Sequence, residues 1–137
     1  MSSTEAVAVF NTMTSALDRL DFDAFFELLS DDVEGYFPYL PEPYPKRAQG
    51  REEFQQVFAL ASSLFAAFSW TSIEVFTTEQ DPAVVIARAS SAATLRNGDP
   101  YTNDYVFFVR AVDGKVAEYR EYFDLARLLT AVATLPS

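Results

Sequence analysis

The run Glu118-Tyr119-Arg120-Glu121-Tyr122-Phe123-Asp124 sets a carboxylate, Glu121, between aromatic rings two residues either side, Tyr119 and Phe123. A carboxyl group among rings loses the hydration that favours its ionised form, so its pKa climbs toward neutrality and it can take and return a proton. No cysteine and no histidine occur in the chain, which removes thiolate, disulfide, imidazole-base and Cys- or His-ligated metal chemistry. Acid–base work near neutral pH is left to carboxylates, tyrosines and what they hold. Glu121 is the candidate general acid/base. Arg88 is placed to orient it or to stabilise negative charge growing on a carbonyl oxygen. Asp104 is the candidate second carboxylate. Tyr36, Tyr39, Ser90, Phe108, Tyr119 and Phe123 are the candidate substrate-binding residues, and no metal site is expected.

These groups are positioned by two hairpins. Asp113-Gly114 lies between the aromatic and β-branched runs of Tyr101 to Asp124, and a two-residue turn there pairs Val112 with Lys115 and Val106 with Glu121. On that register Asp104, Val106 and Phe108 share a face with Tyr119, Glu121 and Phe123, while Tyr105, Phe107, Val109 and Tyr122 occupy the other. A three-residue loop over Arg96-Asn97-Gly98, with Gly98 left-handed, pairs Leu95 with Asp99 and brings Arg88 and Ser90 onto the Glu121 face. A two-residue Asn97-Gly98 turn instead turns Arg88 and Ser90 away, because a one-residue slip reverses facing. Either the four polar groups form an Arg88–Glu121 ion pair with Asp104 near a solvated strand end, or they line a reactive pocket. An aromatic face carrying Tyr105, Phe107, Val109 and Tyr122 needs cover, most simply from a second copy in a two-fold dimer.

The earlier chain reads as a wall around this hairpin. Helical spacing runs over 4–20 and 51–68, and Asp21 heads a shorter helix reaching Leu29. Asp31-Asp32 marks a turn before a brief strand from Val33 to Tyr39. Pro38, Pro41, Pro43 and Pro45 then forbid a regular element in a loop whose tyrosines either pack on the core or rim a pocket. Strand periodicity follows over 70–77, 83–95, 101–112 and 115–123, and Asp124 can cap a last short helix through Leu129. Helices first and a meander after give an α+β class, a curved mainly antiparallel sheet with helices on one face, in a single domain over 1–137.

Composition narrows the partners. Thirteen Phe and seven Tyr in 137 residues build either a core or a cavity for an apolar ligand. A formal net charge of −10 argues against nucleic acid and anionic membrane surfaces. The opening MSSTEAVAVF lacks a basic segment and a long apolar run, and no stretch reaches membrane-spanning length, so a cytoplasmic protein is expected.

The order of elements, closed by Gly114-Lys115-Val116-Ala117-Glu118-Tyr119-Arg120-Glu121-Tyr122-Phe123-Asp124, resembles the nuclear-transport-factor-like superfamily of cone folds. Within it the chain is most similar to SnoaL-like polyketide cyclases and phenazine-biosynthesis isomerase-like proteins. The resemblance implies a cystatin-like α+β cone with N-terminal helices on the concave face, a deep pocket and no cofactor. It further implies small hydrophobic ligands and a homodimer through the outer sheet face. Cyclase-like and phenazine-type members keep a last-strand glutamate, which falls on Glu121. Limonene-epoxide-hydrolase relatives use an Arg-x-Asp pair and a last-strand carboxylate; here Arg88 and Glu121 match while Ser90 replaces the aspartate. The resemblance therefore implies isomerisation or cyclisation, with epoxide hydrolysis and non-catalytic binding as alternatives.

Overall fold

Side-chain caps set the start of three helices in the computed structural model, which describes residues 2–136. Ser2 accepts the Glu5 N–H to open α1 (Ser3–Asp18). Asp21 accepts the Ala24 N–H at α2 (Phe22–Leu28), and Asp124 the Ala126 N–H at α4 (Leu125–Val132). The longer α3 (Gly50–Leu64) has no side-chain cap; Gly50 enters it with a left-handed φ of 81°, and Glu53 accepts the Gln49 N–H instead.

The strands are β1 (Leu29–Tyr36), β2 (Arg47–Gln49), β3 (Phe65–Thr77), β4 (Val84–Leu95), β5 (Pro100–Val112) and β6 (Lys115–Phe123). They form one sheet in the order β2-β1-β6-β5-β4-β3, antiparallel except where β1 runs parallel to β6. Register shifts between Phe65 and Ala67 and between Trp70 and Ser72 interrupt the β3–β4 ladder. Each adds a residue to β3 and so bends it, and this is how the sheet folds around the helices. The class is the α+β cone, with a curved, mainly antiparallel sheet closed on its concave side by helices.

Rings fill that concavity. Phe10 of α1 meets Phe107 of β5 edge-on at 6.3 Å, and Phe54 and Phe58 of α3 lie 5.9 and 6.0 Å from the Tyr119 ring. Phe25 and Phe37 complete the cluster, both buried. Gly35 makes room for it, because a Cβ there would sit 2.5 Å from Phe54 Cζ.

Four elements differ from their sequence expectations. β1 starts at Leu29, so Asp31 and Asp32 lie in a strand with exposed side chains rather than in a turn. The short β2 pairs with β1 beyond the proline loop. α3 ends at Leu64, and Phe65 and Phe68, which continue its apolar spacing, belong to β3. α4 runs past Leu129 to Val132.

Candidate active site

The Asp113-Gly114 turn forms as expected, and of the two alternatives open over Arg96-Asn97-Gly98 the three-residue loop is the one that forms. Asp113 and Gly114 both take positive φ, 51° and 77°, and Val112 pairs with Lys115. The Leu95 N–H donates to Asp99, Gly98 is left-handed, and Ser90 and Arg88 pair with Asp104 and Val106. Between these points lies the feature that decides the site. Ala111 pairs with Val116 but Arg110 pairs with Glu118, which leaves Ala117 as an extra residue in β6. Beyond this bulge every side chain of β6 changes face. Glu121 stands opposite Phe107, not Val106, and the buried residues Tyr119 and Phe123 flank it on the inner face.

The inner face therefore holds Glu121 with Tyr101, Asn103, Tyr105 and Phe107. Two cavities, about 80 and 90 Å³, meet at Glu121, and Phe58, Ala61, Phe65 and Tyr105 also line both. The first extends toward Leu40, Tyr101, Asn103 and Leu128; the second extends toward Leu20, Phe22, Phe68 and Trp70. The surface that Glu121 retains faces these cavities. Its Oε1 accepts the Tyr119 hydroxyl at 2.5 Å. Burial of the carboxyl among rings pushes its pKa up to about 7, and the Tyr119 hydrogen bond opposes that rise without cancelling it. Burial and the adjoining carboxylate hold the Tyr119 hydroxyl well above its ordinary value. Burial raises Tyr101 and Tyr105 as well, so all three phenols stay protonated as donors.

Asn103 is fully committed. Its amide donates to the Tyr101 hydroxyl at 2.6 Å and to the Asp124 carbonyl at 3.1 Å, and its oxygen accepts the N–H groups of Asp104 and Asp124. Tyr105 shares a 2.9 Å hydrogen bond with Ser91, and the Trp70 indole donates to the Thr14 carbonyl at 2.9 Å. Among the described residues, no group of three His, Cys, Asp or Glu is placed to hold a metal ion, and no helix is long and apolar enough to cross a membrane.

Of the residues expected at the site, Glu121, Tyr119 and Phe123 meet there. Arg88 and Asp104 do not, and their expected shared face with Glu121 is corrected by the Ala117 bulge. Arg88 is exposed on the outer face, 3.0 Å from Glu74. Asp104 accepts from Ser90 at 2.6 Å and pairs with Arg127 at 3.1 Å, also outside. Phe108 is outward and 37% exposed. Tyr36 lies on the outer side of β1, with the Arg120 guanidinium 4.1 Å over its ring. Tyr39 is 49% exposed and packs edge-on to Tyr122 and Phe123 at the C-terminal end of β6. Conversely Tyr105, Phe107 and Val109, expected to face out, point inward. Tyr101, Asn103, Tyr105, Ser91 and Trp70 were not among the sequence candidates. The alternation of Tyr101, Asn103 and Tyr105 with Phe107 along β5 is the signal that points to them once the bulge is counted, and Ser91 and Trp70 follow from the pairing of β4 and β3 onto that strand.

The profile of the SnoaL-like domain family matches residues 10–119. The uncharacterized protein YesE of Bacillus subtilis is 24% identical over 104 residues, covering 76% of this chain and 71% of that one. A B. subtilis structure provisionally named an isomerase superposes with a TM-score of 0.84 at 22% identity, covering 97% of this chain and 96% of that one. A Xanthomonas campestris structure provisionally named a polyketide cyclase gives 0.79 at 20% identity, over 94% and 97%. A phenazine biosynthesis-related protein from Pseudomonas aeruginosa gives 0.78 at 18%, over 98% and 88%. These structures share the cone fold, and the family profile spans most of it. The chain belongs to the SnoaL-like domain family.

Proposed function

We propose that this protein is a cofactor-independent acid/base enzyme that isomerises or cyclises a small hydrophobic molecule. The observation that carries the reading is Glu121, whose carboxyl lies in the aromatic wall where two cavities meet and whose pKa is near 7. At that value the group is divided between acid and base at neutral pH, so one side chain can remove a proton from a carbon and return it elsewhere. The provisional names of the structural relatives, isomerase and polyketide cyclase, agree with this class. Among the described residues no arginine pairs with Glu121, and Arg88 lies on the outer face with Glu74, which favours this reading over the epoxide-hydrolase alternative.

The test is deuterium uptake at the carbon next to the carbonyl of 2-tetralone, followed by NMR near neutral pD. The protein accelerates exchange, and Glu121→Gln lowers the protein-dependent rate by at least about a hundredfold. Equal rates for the two proteins would refute the assignment. No acceleration by the wild type would favour ligand binding without chemistry. The proposed assembly is a homodimer through the outer sheet face, where Phe76 and Phe108 are 45% and 37% exposed.

A further inference from the structure

Tyr101 has an unspent proton. Its hydroxyl oxygen accepts the Asn103 amide at 2.6 Å, and among the described residues no acceptor takes the phenolic hydrogen. Asn103 cannot reverse this arrangement. Its oxygen is occupied by the N–H groups of Asp104 and Asp124, and its amide also serves the Asp124 carbonyl, so its flip state is fixed by three backbone groups. Tyr101 is therefore a buried donor, polarised by a second donor behind it, on the wall of the same cavity as Glu121.

The remaining lining defines what that donor is for. Among the described residues no lysine or arginine lines either cavity, so negative charge arising on a bound molecule has only neutral hydrogen-bond donors to meet it. A ligand that is anionic from the start would face the Glu121 carboxylate without a counter-charge. Tyr119 is spent on Glu121, and Tyr105 shares its hydrogen bond with Ser91.

Resting on the proton-transfer reading of this cavity, we infer that Tyr101 is a catalytic residue that binds the carbonyl oxygen of an uncharged ketone or ester, with Asn103 as its positioning residue. The Glu121 carboxylate takes the proton from the carbon beside that carbonyl. The C–H electron pair becomes the new C=C bond, and the carbonyl π pair moves onto the oxygen that holds the Tyr101 hydrogen bond. Return of the proton from Glu121, to the same carbon or to the far end of a conjugated system, restores a neutral carbonyl compound.

The experiment compares 2-tetralone with tetralin, the same skeleton without the oxygen. Binding is read from the fluorescence of Trp70, the only tryptophan, which lines the second cavity. The wild type prefers the ketone by roughly three- to tenfold, the range of one net hydrogen bond. Its bound carbonyl stretch moves to lower frequency than in an apolar solvent. Tyr101→Phe loses both the preference and the frequency shift while still binding tetralin. Glu121→Gln keeps the shift, because the oxygen contact does not need the carboxylate, so failure of the proton-transfer reading appears in the exchange assay alone. Persistence of the shift in Tyr101→Phe, its loss in Tyr105→Phe instead, or no ketone preference in the wild type would each overturn the assignment.

Discussion

At the scale of residues, the Tyr119–Glu121 pair sets the working range of the site. The hydrogen bond from Tyr119 favours the ionised carboxylate and opposes the larger effect of burial. Tyr119→Phe removes the donor from a fully buried position and carries the Glu121 pKa above about 7; the carboxyl carbon's NMR shift against pH checks this. Stability responds too. The ordinary glutamate value is 4.5 and the folded value about 7, so between them the folded chain holds a proton that the unfolded chain has released. Ionising Glu121 therefore costs the native state nothing below about pH 4.5, progressively more up to about pH 7, and the full amount above it. Glu121→Gln, which cannot ionise, gains melting temperature relative to the wild type as pH rises through that window. A difference in Tm that stays constant from pH 4 to pH 8 would contradict the burial argument.

At the scale of elements, the site rests on one bulge and one glycine. Asn97-Gly98 allowed two loop lengths, of which the chain takes the one that needs a left-handed residue only at Gly98, and the Asp113-Gly114 turn was legible because both its residues supply the positive φ that a two-residue loop demands. Ala117 was not, because a bulge is chosen by what the sheet closes over and not by local propensity. Burial marks its place in the fold. Val116 and Tyr119 are both buried three residues apart, a spacing that a regular strand cannot place on one face. Counted without the bulge, the hairpin joins Glu121 to Arg88 and Asp104 and hides the Tyr101-Asn103-Tyr105 series. Phe65 and Phe68 misled in a similar way, since three-residue spacing serves a helix as well as a bulged strand. Gly35 lets β1 approach α3 at the ring of Phe54, which is itself fully buried and has nowhere to move. Gly35→Ala therefore costs about 1–3 kcal/mol of stability, the usual range for overpacking, read by denaturant unfolding. An unchanged midpoint would show that the Phe54 ring yields.

At the scale of the whole molecule, the sheet divides two kinds of surface. Inside are rings and one carboxylate. Outside are the Arg88–Glu74 and Arg127–Asp104 ion pairs and the exposed rings of Phe76 and Phe108, with the Arg88 guanidinium over the Phe76 ring. A mixed surface of this kind suits the proposed two-fold contact, in which apolar area supplies attraction and the charges fix register. Phe108→Asp leaves the inner site intact and yields a monomer where the wild type is a dimer, as measured by light scattering after gel filtration. A wild type that is monomeric at all concentrations would remove the outer face from the account.

The claim on which the rest depends is that one proton is held near neutrality on Glu121 inside the cone. Carboxyl-carbon NMR of the glutamate-labelled protein, with Glu121→Gln to assign the resonance, measures it directly. The account predicts a single glutamate titrating near pH 7, far from the ordinary 4.5. A Glu121 resonance that titrates with the surface carboxylates would contradict it.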